Sequence, residues 1–421
     1  MITIRNATDV ARWNLCHGCG ACVYACSAGR LSLVDFAAHG LRPVLNGGDA
    51  HTCANCNDCL SVCPGIGMSH AHHAGPGEGM AALKHSWGPV LEIWEGFATD
   101  KAVRHDGSSG GLSTAIAMFC IERQNMRGVL HIGADDAVRY ANASRFCTSS
   151  KDLLAATGSK YSPASPCDQL AVIEKAGGPC VFMGKPCDVH GLRKAQRIRP
   201  ALDVNVGVAI GIFCAGTPST RGTLDLLAKH GIDAQQVQDL RYRGRGWPGK
   251  FSVRLRGDAD WRDIATYEEA WGFLQKYRPY RCHLCPDGTS EFADLSCGDP
   301  WYREIEAGEE GRSLLLVRTE TGRRIAHAAM EAGYLSMAPV HPDVLQLSQT
   351  DLQRKRGAIW GRVLVMQSAG IPTPRFEGFS LFRNWLHIPI GHKFRSIIGT
   401  ARRIISRRYF RPLVLDKTSG S

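Results

Sequence analysis

The sequence predicts a chain of mixed α+β and α/β class, with a small cysteine-framed front domain, a larger α/β body and a basic helical tail. Three observations predict it. Two cysteine runs of identical spacing lie between Cys16 and Cys63. Apolar strand-like runs then alternate with helical patterns from about residue 90 onward. The net charge of +11 is concentrated at the C-terminal end. From these we divide the chain into a domain at 1–75, a linker at 76–89, body segments at 90–165 and 166–345, and a tail at 346–421.

The front runs read Cys16-His-Gly-Cys19-Gly-Ala-Cys22-Val-Tyr-Ala-Cys26 and Cys53-Ala-Asn-Cys56-Asn-Asp-Cys59-Leu-Ser-Val-Cys63-Pro64. Each is C-x2-C-x2-C-x3-C, the pattern of a two-cluster ferredoxin, in which the fourth cysteine of each run ligates the other cluster. Cys16, Cys19, Cys22 and Cys63 are thus expected to hold one 4Fe–4S cube. Cys53, Cys56, Cys59 and Cys26 are expected to hold the second. Soft, anionic thiolates suit iron in a sulfide cube. A four-cysteine zinc site pairs two C-x2-C knuckles instead, and disulfides belong to an oxidising compartment. Ser27 follows the first run where proline follows the second.

Seventeen cysteines, clustered at ligand spacing in 421 residues, point to metal chemistry in a reducing compartment. The opening residues lack a basic head and an apolar run, and no apolar stretch reaches the roughly 18–20 residues of a membrane span. A cytoplasmic location is therefore expected. From Thr350 onward there are 14 Lys/Arg against three Asp/Glu, and residues 1–349 carry 36 of each sign. A neutral body argues against nucleic acid as a partner.

Residues 65–86 read as a linker, with Gly65, Gly67, Gly75, Pro76, Gly77 and Gly79 around His70, His72 and His73. The histidines read as loop decoration rather than as a metal site. Leu91 to Phe97 alternates like a strand. Ser108-Ser109-Gly110-Gly111 then runs into a helix, with Ser108 or Ser109 as N-cap and Leu112, Ile116 and Phe119 on one face. Such a helix start can take a phosphate or serve as a tight cap. Gly128 to Gly133 reads as a strand, and Gly158-Ser-Lys160-Tyr161 as a loop.

Pro179 to Gly184 and Val204 to Phe213 read as buried strands. Each is followed by a cysteine, Cys187 and Cys214, and then by a helix. Ligands of parallel sheets sit at the carboxyl ends of strands, so both thiols can face one site. Tyr242 to Gly249 is a breaker-rich loop. Arg281-Cys282-His-Leu-Cys285 supplies a C-x2-C pair. Ser313 to Val317 reads as a last strand and Arg323 to Ala332 as a helix. In the tail, Phe394, Ile397, Ile398, Ala401, Ile404 and Ile405 share one helical face, and Arg395, Arg402, Arg403 and Ser406 fall mostly opposite. Two expectations compete for that stripe: packing on the body or a partner subunit, and contact with an anionic membrane surface.

Taken in order, Ser108-Ser-Gly-Gly111, Gly158-Ser-Lys-Tyr161, Gly184-Lys-Pro-Cys-Asp188, Phe213-Cys214, Gly244-Arg-Gly-Trp-Pro-Gly249, Arg281-Cys-x-x-Cys-Pro286, Ala293-Asp294 and Gly298-Asp299 resemble the coenzyme F420 hydrogenase/dehydrogenase beta-subunit family. The resemblance covers roughly residues 90–320. It implies FAD in the body, with its phosphates near Ser108, Ser109, Gly110 and Gly111 and its ring near Lys160, Tyr161, Lys185 and Trp247. A further 4Fe–4S cluster on Cys187, Cys214, Cys282 and Cys285 is the expectation there, with free thiols, a redox disulfide and a zinc site as alternatives. Cys297 stands where the pattern has a non-cysteine residue, and it reads either as a spare thiol or as a competitor for a place in that ligand set. The implied activity is an iron–sulfur flavoprotein oxidoreductase acting on a small molecule or a deazaflavin. Its redox partner would be a ferredoxin or another oxidoreductase subunit. The alternative is a relay subunit without substrate chemistry of its own. Radical chemistry on S-adenosylmethionine is set aside, because Cys22-x3-Cys26 lacks a cysteine at position 29.

Overall fold

The computed structural model describes residues 2–47, 53, 56–71, 79–306 and 308–415. His72, His73, Gly75, Pro76 and Gly77 lie outside them.

The front domain opens with the helix Ala7–Arg12, capped by the Asn6 carboxamide oxygen, which accepts from the amides of Thr8 and Asp9. A hairpin follows, Leu31–Phe36 against Gly40–Leu45. Short helices Ala21–Ala25 and Asp58–Ser61 carry cysteines of the two runs.

The body is built on one eight-stranded sheet. Its order is Leu335–Pro339, Glu92–Ala98, Ser313–Val317, Leu295–Gly298, Val206–Ile212, Cys180–Gly184, Val129–Ala134 and Asn142–Cys147. The four strands from Leu295–Gly298 to Val129–Ala134 are mutually parallel, and antiparallel strands flank them on both sides. The parallel strands are near-continuous apolar runs because both faces of the sheet are covered. On one face Ile116 and Phe119 of the helix Leu112–Arg123 pack with Ile325 and Ala329 of Glu320–Glu331. On the other, Val189 and Leu192 of Pro186–Gln196 pack with Ala21, Ala25 and Val62, so the front domain lies against that face.

Three features depart from the sequence reading. Leu335–Pro339 is a further strand beyond Ser313–Val317. A separate antiparallel sheet of Val237–Arg241, Lys250–Leu255 and Arg262–Thr266 carries the Tyr242 to Gly249 loop as its hairpin connection. Val204 is exposed at the end of a short helix, and the strand starts at Val206.

The C-terminal segment is threaded into the rest. Arg375–Glu377 pairs in parallel with Gly67–Ser69. Arg356, 2% exposed, forms an ion pair with buried Glu291 and donates to the Phe379 carbonyl at 3.0 Å. Glu291 also meets His70 at 2.9 Å, and the His70 ring stacks on Phe292, which makes this histidine a packing residue. The helix Ile390–Ser406 docks on Ile359–Ser368 through Ser396, Thr400 and Ile404. Of the apolar stripe, Ile404 packs with Tyr280, Met366 and Ile371, Ile397 and Ala401 are half-buried, and Phe394, Ile398 and Ile405 are exposed, so the stripe packs on the body only along one edge.

Candidate iron–sulfur and flavin site

Cys16, Cys19, Cys22 and Cys63 line one small cavity with His17, Gly18, Gly20 and Pro64. The local chain aims backbone donors at the sulfurs. The amide of Gly18 points to Cys16 Sγ at 3.3 Å and that of Gly65 to Cys63 Sγ at 3.3 Å. Amides directed at ligand sulfurs are what an anionic cluster requires. Gly20 holds φ at 88°, and a Cβ there would stand 2.7 Å from the Asp168 amide, so only glycine lets this loop close on the body. The Cys167 amide donates to the Cys19 carbonyl at 3.1 Å across the same contact.

The second run behaves alike. Burial raises the pKa of the Cys59 thiol, and the charges of Cys56, Cys26 and Cys53 stand close enough to raise it further. The Arg30 amide points to Cys26 Sγ at 3.4 Å. Burial also drives Cys63 up to about 12 and Cys22 well above its ordinary value. Bare thiolates are therefore unfavourable here, and a bound cluster would supply the compensating charge. Cys19 is the exception: a hydrogen bond with the Cys167 thiol, absent from our reading of the sequence, lowers its pKa.

The third group lies next to the first. Cys187 sits in the first turn of Pro186–Gln196, after the strand Cys180–Gly184, and Cys214 follows Val206–Ile212. Cys282 is in the turn of helix Tyr280–His283, and the Cys285 amide donates to the Cys282 carbonyl at 3.4 Å. Burial raises Cys187, Cys214 and Cys285, the last to about 11. Cys187 feels the charges of both Cys19 and Cys214, and Cys214 feels that of Cys282. Cys297 stands apart, inside the strand Leu295–Gly298, raised to about 12 by burial alone. Among the described residues no three His, Cys, Asp or Glu side chains converge at single-ion spacing. Thiolates on one tetrahedral zinc would stand about 3.8 Å apart, from a Zn–S bond of about 2.3 Å.

Between the two groups lie two buried cations. Lys185 donates to Asp188 at 2.6 Å and to the Ala164 carbonyl at 3.2 Å. Burial opposes its charge, but Asp188 and the neighbouring thiols outweigh it and raise its pKa. Lys185 thus stands beside Cys187 and Cys214, paired with Asp188. Arg281 is fully buried and donates through Nη2 to the Pro64 carbonyl at 3.0 Å. Its Nε and Nη1 have no hydrogen-bond partner among the described residues. Its charge reaches Cys285, Cys282, Cys63 and Cys187.

The glycine–serine loop does not form the open phosphate cradle expected of it. Ser109 Oγ donates to the Arg312 carbonyl at 2.5 Å and shares a hydrogen bond with Ser313 Oγ, and the Gly110 amide donates to Ser313 Oγ at 2.8 Å. A Cβ on Gly110 would meet the Gly96 carbonyl at 2.7 Å, so its smallness serves strand packing. The N-cap of Leu112–Arg123 is Gly111, φ 75°, in place of Ser108 or Ser109. Ser108 instead accepts from the Ser159 amide at 2.6 Å, and the Gly246 amide donates to the His105 carbonyl at 3.1 Å, so three loops meet.

There Lys160 makes no hydrogen bond or ion pair among the described residues, and burial together with the Arg241 charge lowers its pKa to about 8. Arg241 donates to the Asp106 carbonyl at 3.2 Å. Nearby, Trp247 stacks on Trp301 at 5.8 Å and Trp301 on Tyr267 at 5.5 Å. Arg243 grips Asp299 with two bonds, at 2.8 and 2.9 Å, and lies 4.6 Å from the Tyr267 ring centre. Tyr161 packs on Tyr242 and Trp271. Arg241, Tyr267 and Trp301 come from three separate elements, so no local pattern in the sequence groups them.

Comparison with known proteins accords with these observations. Residues 15–65 match the 4Fe-4S dicluster domain family. Residues 93–171 match the N-terminal and 179–343 the C-terminal part of the coenzyme F420 hydrogenase/dehydrogenase beta subunit. The coenzyme F420 hydrogenase subunit beta of Methanococcus voltae is 27% identical over 288 residues, 66% of this chain and 95% of that one. The coenzyme F420-dependent sulfite reductase of Methanocaldococcus jannaschii is 24% identical over 314 residues, 66% of this chain but only 46% of that protein. A chain of the F420-reducing [NiFe] hydrogenase complex of Methanosarcina barkeri has the same fold over 68% of this chain and 95% of its own, with a TM-score of 0.52 and 21% identity. With 4Fe–4S cysteine runs at its front and both halves of the body matched in order, the chain belongs to the coenzyme F420 hydrogenase/dehydrogenase beta-subunit family.

Proposed function

We propose that this protein passes electrons between 4Fe–4S clusters and FAD, as an oxidoreductase acting on a small organic substrate or a deazaflavin cofactor. The observation that carries the reading is adjacency. Cys16, Cys19, Cys22 and Cys63 line one cavity, and Arg281 stands within reach of both that group and Cys187, Cys282 and Cys285. Cys26, Cys53, Cys56 and Cys59 would hold the second cluster, and Cys187, Cys214, Cys282 and Cys285 a third.

Clusters transfer electrons singly and a flavin takes up a hydride pair, so a chain holding both couples the two kinds of carrier. The residues fit the clusters well. For FAD they fit in part: Lys160 and Arg241 supply unneutralised positive charge where three loops meet, and Trp247, Tyr267 and Trp301 supply flat apolar surface. We place the phosphates at Lys160 and Arg241 rather than at Gly110. The relay reading is favoured by one observation, the internal use of Ser109 and Gly110. A ferredoxin or another oxidoreductase subunit would be the redox partner, in the cytoplasm.

Anaerobic purification with iron, sulfide and flavin quantified tests this. About twelve irons per chain and one FAD are expected, with a loss of about four irons on Cys19→Ala, Cys56→Ala or Cys282→Ala. Eight irons that Cys282→Ala leaves intact would remove the third cluster. Full iron without flavin would leave the relay.

A further inference from the structure

The helix Ile390–Ser406 is oriented against its own chemistry. At 100° per residue its buried side, Ser396, Thr400 and Ile404, lies about a third of a turn from Ile390, Phe394, Ile398 and Ile405. Apart from Ile404, which packs with Met366, Ile371 and Tyr280, the docked side is small and polar. Gly361 sits directly beneath Ser396 Oγ, Trp385 Nε1 donates to that oxygen at 3.2 Å, and Thr400 Oγ1 donates to the Ser396 carbonyl at 2.7 Å. The apolar side is left in solvent, with Ile390 66%, Phe394 59% and Ile405 71% exposed. A helix of a globular protein turns its apolar stripe inward. Phe382 and Leu386, on the helix Leu381–His387 that leads into it, are exposed as well.

The charge around the stripe selects what covers it. Between His387 and Arg411 there are seven Lys/Arg and no Asp/Glu. Arg395 and Arg402 are exposed and flank the stripe about 40–60° from its nearest edge at Ile398. Arg407, Arg408 and Arg411 extend the exposed charge at its end. Lys393 and Arg403 turn toward the body, over Trp385 at 5.5 Å and Tyr280 at 5.7 Å. A second copy of this face would set arginine against arginine across a two-fold axis. An anionic bilayer takes the apolar side chains at the acyl boundary and the arginines at its phosphates.

We propose that the Leu381–His387 and Ile390–Ser406 helices form a peripheral docking surface for an anionic lipid bilayer. They hold the protein in the plane of the membrane without crossing it. No described helix is long and apolar enough to span one. This inference is independent of the cofactor assignment.

Flotation of the full-length, cluster-loaded protein tests it, with vesicles of phosphatidylcholine alone or mixed equally with phosphatidylglycerol. The protein should float with the mixed vesicles at low salt. It should stay behind with phosphatidylcholine alone, or in high salt, which screens the contact. Arg395→Gln with Arg402→Gln should lower the partition coefficient about 25-fold, about fivefold for each charge. Phe394→Glu with Ile398→Glu should abolish flotation with iron content unchanged. If that variant fails to fold, the arginine pair, fully on the surface, decides. Absence of wild-type flotation with mixed vesicles would overturn the proposal. So would equal flotation of the arginine variant, or a wild-type dimer that Phe394→Glu/Ile398→Glu returns to monomer.

Discussion

Arg281 donates through Nη2 to the Pro64 carbonyl at 3.0 Å, tying the residue before the body's Cys-x2-Cys pair to the residue after the last cysteine of the front domain. Two of its nitrogens remain without partners among the described residues. A fully buried guanidinium in that state is costly unless negative charge faces it. Two thiolate-held clusters would supply that charge.

Arg281→Gln should therefore lower a cluster midpoint potential while leaving the iron count unchanged. Reduction adds negative charge, which the guanidinium favours. A unit charge at roughly 8 Å in an effective dielectric of about 20 contributes about 2 kcal/mol, on the order of 0.1 V for one electron. A redox titration followed by electron paramagnetic resonance measures it, and Arg281→Lys should recover part of the shift. Unchanged potentials would make Arg281 a purely structural tie.

Gly110→Val should destabilise the protein by about 3 kcal/mol or more, because its side chain would run into the Gly96 carbonyl and the Ser313 amide. Flavin loss would then follow unfolding. Thermal melts of flavin-free protein, compared with wild type, separate the two effects.

Lys160→Met should release flavin and yet stabilise the flavin-free protein at pH 7, by roughly 1–3 kcal/mol. The sign follows from the depressed pKa, about 8 in the folded chain against an ordinary 10.5. Between those values the unfolded chain binds more protons, so wild-type stability rises with pH from about 8 to 10.5 and the penalty is complete below 8. Anion binding runs the other way and weakens above about 8 as the ammonium is lost. Thermal midpoints across that window should flatten in the variant.

Arg356→Met should cost about 3–5 kcal/mol, since it strands buried Glu291 without its cation. Burial alone would raise the Glu291 pKa, but Arg356, His70 and Arg318 outweigh it and hold it below its ordinary 4.5. The pair therefore stabilises the wild type above about pH 4.5, and that contribution is lost as pH falls further. The difference between wild type and variant should shrink in acid. Denaturation midpoints at neutral and acidic pH check this.

The amino-acid sequence by itself determined what depends on local spacing. Eight front cysteines are legible because a cube is wrapped by a short loop, and their ligand types and intervals lie along one stretch of chain. Strands such as Cys180–Gly184 and the helix Pro186–Gln196 are legible because apolar runs and turn residues are local signals. Only the tertiary structure decided what depends on meeting. Gly110 looks like a phosphate contact in sequence, and in space its amide is used by Ser313, some 200 residues away. Lys185 looks like an exposed loop cation in sequence, and only the fold shows it buried and paired with Asp188 beside two cysteines. The tail shows the same division. Its periodicity reveals an apolar face, but which face docks depends on Gly361, a small residue on another helix that admits Ser396 and leaves Phe394 and Ile398 in water. Periodicity measures how apolar a face is, whereas close packing also needs a partner surface of matching shape.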